Sequence, residues 1–432
     1  VALIILLGWV AYANSLHGQF IWDDDFLVKN NPYIKSWSHI SDIFTKDIGA
    51  GVGKKYSAYR PFQMLTYTLD YTLWGLNTKG YHITNLLLHI LVALSVYWLA
   101  NILYKDRFLS LLTGLFFVVH PIHTEAVDYI SSRSDSLGAL WFLLSLILYI
   151  KYIHRKNIPM LVLTFLTYSL ALLSRESVVI LPLLILLYHY VSKKKFNIKV
   201  FLSLTSLAVI YVFIRAVFLK STVPALETVT TTVFQRMPGF FVALAQYIRL
   251  LLFPFPLHME YGNRLFELSN PRVLWGIIIF VFLIIYAFKK RRVSPLIFFS
   301  VSWFFITLLP ASNLFPVNAY MAEHWLYVPS IGFFLILGRV FSLFSSEKKF
   351  RILALSLIVF LLSFYSYLTI KQNSYWKDPI DFFKRTARYA PDSYRLFYDF
   401  GNAYEERGKT EEAIVCYKKV IELTPYYALA YN

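Results

Sequence analysis

The sequence predicts an all-α fold: a polytopic helical membrane protein of about eleven spans followed by an α-helical repeat segment. Three observations point there. Hydrophobic residues make up 57% of the 432-residue chain and charged residues only 16%, whereas soluble domains average about half and about a quarter. Aromatic residues reach 19%, as expected where Trp and Tyr collect at two membrane interfaces. Apolar runs of a length that can cross about 30 Å of hydrocarbon recur along the chain, and basic residues fall between them in a regular order.

The runs lie near 1–14, 82–104, 108–126, 136–152, 158–173, 177–191, 199–219, 273–288, 295–310, 328–344 and 352–370. The chain opens on Val1 within an apolar run and has no small-residue cleavage site after it. Residues 1–14 therefore read as a first span of a truncated N-terminus and not as a cleaved signal. Lys105 and Arg107, Lys151 to Lys156, Lys193 to Lys199, Lys289 to Arg292, and Lys348 to Arg351 form five basic loops. All five fall on the cytoplasmic side if the first span runs outward. The opposite loops carry Asp23, Asp24, Asp25, Glu125, Asp128, Asp135, Glu176 and Glu323. Residues 238–253 are apolar, but a full span there would reverse the Lys289 to Arg292 loop, so they are expected to be re-entrant or interfacial. This topology puts the N-terminus in the cytoplasm and the tail outside, in a bacterial plasma membrane or, in a eukaryote, the endoplasmic reticulum.

The net charge of +17 sits in these loops as a topology signal, which excludes a nucleic-acid partner as its explanation. One cysteine, Cys416, permits neither an internal disulfide nor a cysteine-based metal cluster. Two external stretches are long. Residues 15–80 mix aromatic and charged side chains and suit amphipathic helices on the membrane surface, and 220–272 are broken by Pro224, Pro238, Pro254 and Pro256. The membrane domain is thus 1–370 and the tail 371–432. In the tail Gly401, Tyr404, Ala413, Tyr417 and Pro425 follow the spacing of a 34-residue tetratricopeptide unit. Pro391 and Phe383 precede Pro425 and Tyr417 by one such period, so 376–391 reads as the second helix of an earlier unit. Repeats need neighbours to bury their faces, and further units are expected beyond Asn432.

The chemistry-bearing residues cluster on the external side. Three adjacent carboxylates, Asp23, Asp24 and Asp25, repel one another. One of them could serve as a general base or the run could hold a divalent metal, and a solvated acidic turn or helix cap explains them equally well. His120, His123 and Glu125, with Arg133 and Asp135 beyond, could bind a phosphate and orient a hydroxyl; the plainer reading is a hydrogen-bond network between spans. His82, Asn85 and His89 share one helical face near Arg60, as interhelical glue or as a site lining. Arg175 and His324 could neutralise a leaving phosphate, although Arg175-Glu176 and Glu323-His324 could equally be ordinary ion pairs.

These residues resemble the membrane-embedded GT-C-fold glycosyltransferases. Within them the chain is most similar to the transmembrane-and-tetratricopeptide family, which includes animal protein O-mannosyltransferases and many bacterial relatives. The resemblance covers nearly the whole chain. It rests on Phe20-Ile21-Trp22-Asp23-Asp24, Tyr59-Arg60-Pro61, His82 with Asn85 and His89, and His120-Pro121 with His123-Thr124-Glu125-Ala126-Val127. It continues through Arg133 and Asp135, Ser174-Arg175-Glu176, and Glu323 to Ser330 with Gly332. It implies a mannose or other hexose carried on a polyprenyl phosphate, transferred on the extracytoplasmic face to a hydroxyl of a polypeptide or glycan. The implied base in an inverting displacement is Asp23 or Asp24. Donor phosphate and sugar would meet Arg60, His82, His123, Glu125, Arg133, Asp135, Arg175, Glu176 and His324. Relatives often carry Arg where this chain has His324, and Lys-Glu where it reads Arg175-Glu176. The partners implied are membrane lipid, the lipid-linked sugar, and an acceptor met by the tetratricopeptide tail. Two other classes are a non-catalytic scaffold whose tail recruits envelope proteins, and a transporter. Transporters place polar residues near the midplane, whereas these hug one interface.

Overall fold

The computed structural model describes residues 1–219, 231–262, 264–314 and 319–431. Pro224 and part of the 220–272 stretch lie outside the described residues. Among the described residues there are helices and turns but no strand. In chain order the α-helices are α1 (Ala2–Tyr12), α2 (Ile40–Thr45), α3 (Pro61–Trp74), α4 (Thr78–Tyr104), α5 (Arg107–Val119), α6 (Thr124–Asp128), α7 (Arg133–Arg155), α8 (Ile158–Ser174) and α9 (Leu181–Ser192). They continue with α10 (Ile198–Phe218), α11 (Val233–Leu252), α12 (Pro271–Lys290), α13 (Pro295–Leu308), α14 (Ser330–Ser346), α15 (Arg351–Ser374), α16 (Pro379–Ala387), α17 (Tyr394–Glu405) and α18 (Thr410–Leu423).

Local chemistry sets many of these boundaries. Asn77 caps α4 by accepting from the Lys79 amide, and Asp106 caps α5 by accepting from Phe108 and Leu109. Pro61, Pro271, Pro295 and Pro379 stand at the first turn of their helices, where the missing N–H costs nothing. Lys105, Lys156 and Lys193 end α4, α7 and α9 in the left-handed conformation, at φ of 54°, 54° and 51°.

Among the described residues five helices are long and apolar enough to cross a membrane: α4, α7 with the turn before it, α10, α12 and α15. A sixth crossing is made by α5 and α6 if they act as one bent span. The expected unbroken span over 108–126 is thus corrected. Pro121 cannot donate a hydrogen bond and forces His120 to an extended ψ of 128°, and the two segments meet at 53°. The remaining expected spans form shorter apolar helices at Ala2–His17, Ile158–Ser174, Glu176–Ser192, Pro295–Ala311 and Ser330–Ser346. The apolar segment 238–253 lies in the 20-residue helix α11, which packs along α12 and carries Arg236 and Arg249. Helices α4 and α7 sit in the core. α10, α12 and α15 instead expose Phe213, Phe282 and Phe360 among other large apolar side chains, the pattern of a lipid-facing rim. The chain is a multi-pass membrane protein.

The five basic loops gather at one end of the bundle. Asp106 accepts from Ser342 at 2.9 Å, joining the 105–107 loop to the end of α14. Tyr188 and His154 meet at 3.2 Å, joining the ends of α7 and α9. Tyr190 packs on Phe298 at 5.3 Å, bringing in the start of α13. At the opposite end, residues 15–60 form 3-10 and π turns and the six-residue α2, and the 14-residue α3 follows. They close over the bundle through Ile34, Ile43, Met64, Tyr67 and Ile130. The tail helices α16 to α18 rest on this cap. Trp22, Tyr129 and Ile21 pack with Trp376, Phe382, Phe383 and Phe400.

Candidate functional site

The site grows from the turn that follows α6. At its start the Tyr129 hydroxyl accepts from the Asp23 amide at 3.1 Å. Ser131 donates its amide and its hydroxyl to Asp24 at 2.7 and 2.5 Å. A few residues on, Ser134 accepts from both Arg60 (3.2 Å) and Arg175 (2.7 Å), and Asp135 pairs with Arg175 at 2.6 Å. Ser131 and Ser134, three residues apart, thus hold the aspartate loop and the two arginines to neighbouring turns of one segment. Gly138 on the next turn is needed for this approach, since a Cβ there would lie 2.9 Å from the Arg175 Cβ.

The two candidate aspartates differ in kind. Asp24 is buried, 1% exposed, and its second oxygen accepts from the Ile21 amide at 3.1 Å. Both oxygens are therefore spent on holding the loop, and burial pushes its pKa up to about 7. Asp23 is half-buried and accepts from the Tyr56 hydroxyl at 2.8 Å. Burial raises its pKa, outweighing the Tyr56 and Tyr129 hydroxyls and the Lys54 ammonium nearby. Trp22, the residue before it, takes a φ of 58°, rare and strained for a bulky side chain. Asp23 and Asp24 thus bond to different partners, Tyr56 and Ser131. Asp25 faces Lys29 at 3.2 Å. The three carboxylates thus have different partners, and among the described residues no three His, Cys, Asp or Glu side chains form a metal-ligand set.

Beside this lie three cation–carboxylate pairs. Arg60 holds Glu176 in a bidentate fork at 2.9 and 2.6 Å. Arg175 pairs with Asp135. The His324 Nδ1 and amide meet Glu125 at 2.6 and 3.0 Å. Burial would lower the His324 pKa, but the Glu125 and Asp135 carboxylates outweigh it and the net shift is upward. Its Nε2 makes no hydrogen bond among the described residues. The cationic side chains stay 12–21% exposed, while Asp135 and Glu125 are 6% and 2% exposed beneath them. The arrangement offers an anion a surface of guanidinium and imidazolium groups backed by buried counter-charges.

Three expected site residues fall elsewhere. His123 is fully buried, with Nδ1 at 2.9 Å from the Phe117 carbonyl and Nε2 at 3.0 Å from the Ser330 hydroxyl, so it ties α5 to α14. Arg133 is fully buried, paired with Asp70 at 2.5 Å, bonded to Asn85 at 2.7 Å and stacked over the Tyr67 ring. His82 is buried against Gly18, whose Cβ would meet its ring at 2.7 Å. Sequence reasoning missed Tyr56 and Lys54, which lie in a Gly- and Lys-rich loop without periodicity. It also missed Tyr261, whose hydroxyl donates to Glu323 at 2.6 Å, and Asp399 and Arg395 from the tail.

A family model described as TPR repeat matches residues 401–432. The chain is 28% identical over 442 residues to the protein O-mannosyl-transferase F38B6.6 of Caenorhabditis elegans, covering 98% of this chain and 63% of that one. It is 27% identical over 494 residues to the protein O-mannosyl-transferase TMTC1 of Homo sapiens, covering 100% of this chain and 56% of that one. The chain therefore spans about three fifths of the length of these relatives. Among solved structures, ArnT from Cupriavidus metallidurans bound to undecaprenyl phosphate superposes with a TM-score of 0.50 at 13% identity, covering 97% of this chain and 77% of that one. The fold is thus of the GT-C membrane type, and along its length the chain resembles the transmembrane-and-tetratricopeptide protein O-mannosyltransferases.

Proposed function

We propose that the chain is a glycosyltransferase that moves a hexose from a polyprenyl-phosphate carrier to a hydroxyl of an acceptor polypeptide on the extracytoplasmic face. The observation that carries this reading is a cluster of counter-charged cations, Arg60, Arg175 and His324, at the end of an apolar bundle that also holds a partly exposed aspartate, Asp23. The names of the relatives support a protein acceptor, and the undecaprenyl phosphate bound to ArnT supports a lipid phosphate.

In this reading Asp23 takes the proton of the acceptor hydroxyl as its oxygen attacks the anomeric carbon. The bond from that carbon to the phosphate oxygen breaks, and its electron pair leaves with the phosphate. Arg60, Arg175 and protonated His324 meet the charge that develops there. One base with no second nucleophilic carboxylate favours inversion, by analogy with glycoside chemistry. The raised pKa of Asp23 makes it a stronger base than an exposed aspartate. The Tyr56 hydroxyl, whose own pKa is raised by burial and by Asp23, stays a donor and holds the carboxylate in place.

The test is sugar transfer from a radiolabelled short-chain polyprenyl-phosphate hexose by the purified chain in detergent, with a hydroxyl-bearing peptide as acceptor. Transfer by the wild type and its loss in a folded Asp23→Asn variant are expected. Equal signals from the two, or none from any hexose donor, would favour the scaffold.

A further inference from the structure

A cleft of about 620 Å³ opens between the first loop and the tail, within the ~300–1,000 Å³ range of ligand pockets. Asp25 and Lys29 line it from the loop, and Asp399, Glu405 and Glu406 from α17. It carries two features that together select a cation. First, its charge is locally acidic in a chain of net charge +17. Of its basic groups, Lys29 already bridges Asp25 and Glu406 at 3.2 and 3.1 Å, and Arg407 is taken up by Asp378. Asp399 makes neither hydrogen bond nor ion pair among the described residues, and burial with the Asp23 charge pushes its pKa up to about 7. Second, the cleft is walled by the aromatic faces of Phe20, Trp22, Phe26 and Phe383, which attract ammonium and guanidinium groups. At the edge of the cleft, a cation already sits on one of these rings: the Lys54 ammonium lies over Phe26, with Asp399, Asp23 and Asp25 as its charged neighbours.

We infer that this cleft between loop and tail is the docking site for a basic side chain of the acceptor polypeptide, and that Lys54 stands in its place when no acceptor is bound. The inference rests on the reading of the chain as a protein glycosyltransferase. The acceptor would lie along α17 with a Lys or Arg over Phe26 and a neighbouring hydroxyl toward Asp23, whose amide and carboxylate adjoin the same loop. The tail then helps to select the acceptor through the face that meets the membrane domain.

The experiment is equilibrium binding, without donor, of fluorescent peptides to the full chain in nanodiscs. One peptide carries Ser and Thr with flanking Lys, one has Glu in place of Lys, and one is neutral. The Lys peptide should bind tightest and weaken as salt rises. Asp399→Asn should weaken it by up to ~5-fold, the upper range for an exposed ion pair, and Lys54→Met should tighten it. Both variants should keep the wild-type circular dichroism. Binding that ignores peptide charge, or that moves the same way in both variants, overturns the inference, and so does preferential binding of a free glycan. Charge-independent binding alongside sugar transfer would sink the cleft and leave the transferase reading intact. Charge-dependent binding with no transfer from any donor would sink the transferase reading instead.

Discussion

Asp23 and Asp24 are adjacent and chemically identical, yet their surroundings assign them opposite consequences when removed. Asp24→Ala strips the acceptor from the Ile21 amide, the Ser131 amide and the Ser131 hydroxyl, all inside the closed cap. A buried donor left unpaired costs about 1–3 kcal/mol, so two to three of them cost about 2–9 kcal/mol. With an unfolding entropy of about 2.1 cal/mol/K per residue over 432 residues, that lowers the unfolding midpoint by about 2–10 °C. Asp23→Asn loses part of one half-exposed bond to Tyr56, worth about 1 kcal/mol and about 1 °C. The assay is thermal unfolding in detergent followed by tryptophan fluorescence, run beside sugar transfer. Asp24→Ala should unfold early. Asp23→Asn should unfold like the wild type and transfer nothing. If Asp24→Ala is no less stable than Asp23→Asn, the division into one holding and one acting aspartate is wrong.

Three further outcomes are expected. Transfer should follow a bell-shaped pH profile: it rises as Asp23 ionises, above the usual carboxylate range, and falls as His324 loses its proton, above the usual imidazole range. His324→Arg should remove the alkaline fall, and a profile unchanged in that variant would show that another group sets it. Arg133→Met strands the buried Asp70 carboxylate and should cost about 3–5 kcal/mol. The double variant with Asp70→Leu should recover much of that loss, read as the same unfolding midpoint. Gly332→Ala drives a methyl group into the Ser300 carbonyl of α13 and should cost about 1–3 kcal/mol by forcing α14 away, seen as faster limited proteolysis of the bundle.

The helices of the membrane part were legible because apolar runs and basic loops are carried by composition and order alone. The placement of Arg60, Glu125, Asp135, Arg175, Glu176 and His324 at one end followed from the same loops. What stayed hidden depends on packing. Whether a histidine such as His123 or an arginine such as Arg133 faces a site or a neighbouring helix is decided by partners far away in sequence, here Ser330 and Asp70. The different partners of Asp23 and Asp24, Tyr56 for one and Ser131 with the Ile21 amide for the other, are set by residues distant in sequence that no local pattern announces. The break at Pro121 was visible as a proline but was weighed less than the length of the apolar run around it. Lys54 and Tyr56 looked like loop filler, since nothing periodic marks a residue that folds back on a distant carboxylate.

The Trp22 indole lies 5.7 Å from the Phe383 ring and 6.1 Å from that of Phe382, and the very next residue is Asp23. Mechanically this is a short, stiff linkage: tail helix, indole, inverted backbone, carboxylate, with no slack segment between them. Any change in how α16 seats on this indole would therefore bear on the backbone next to Asp23.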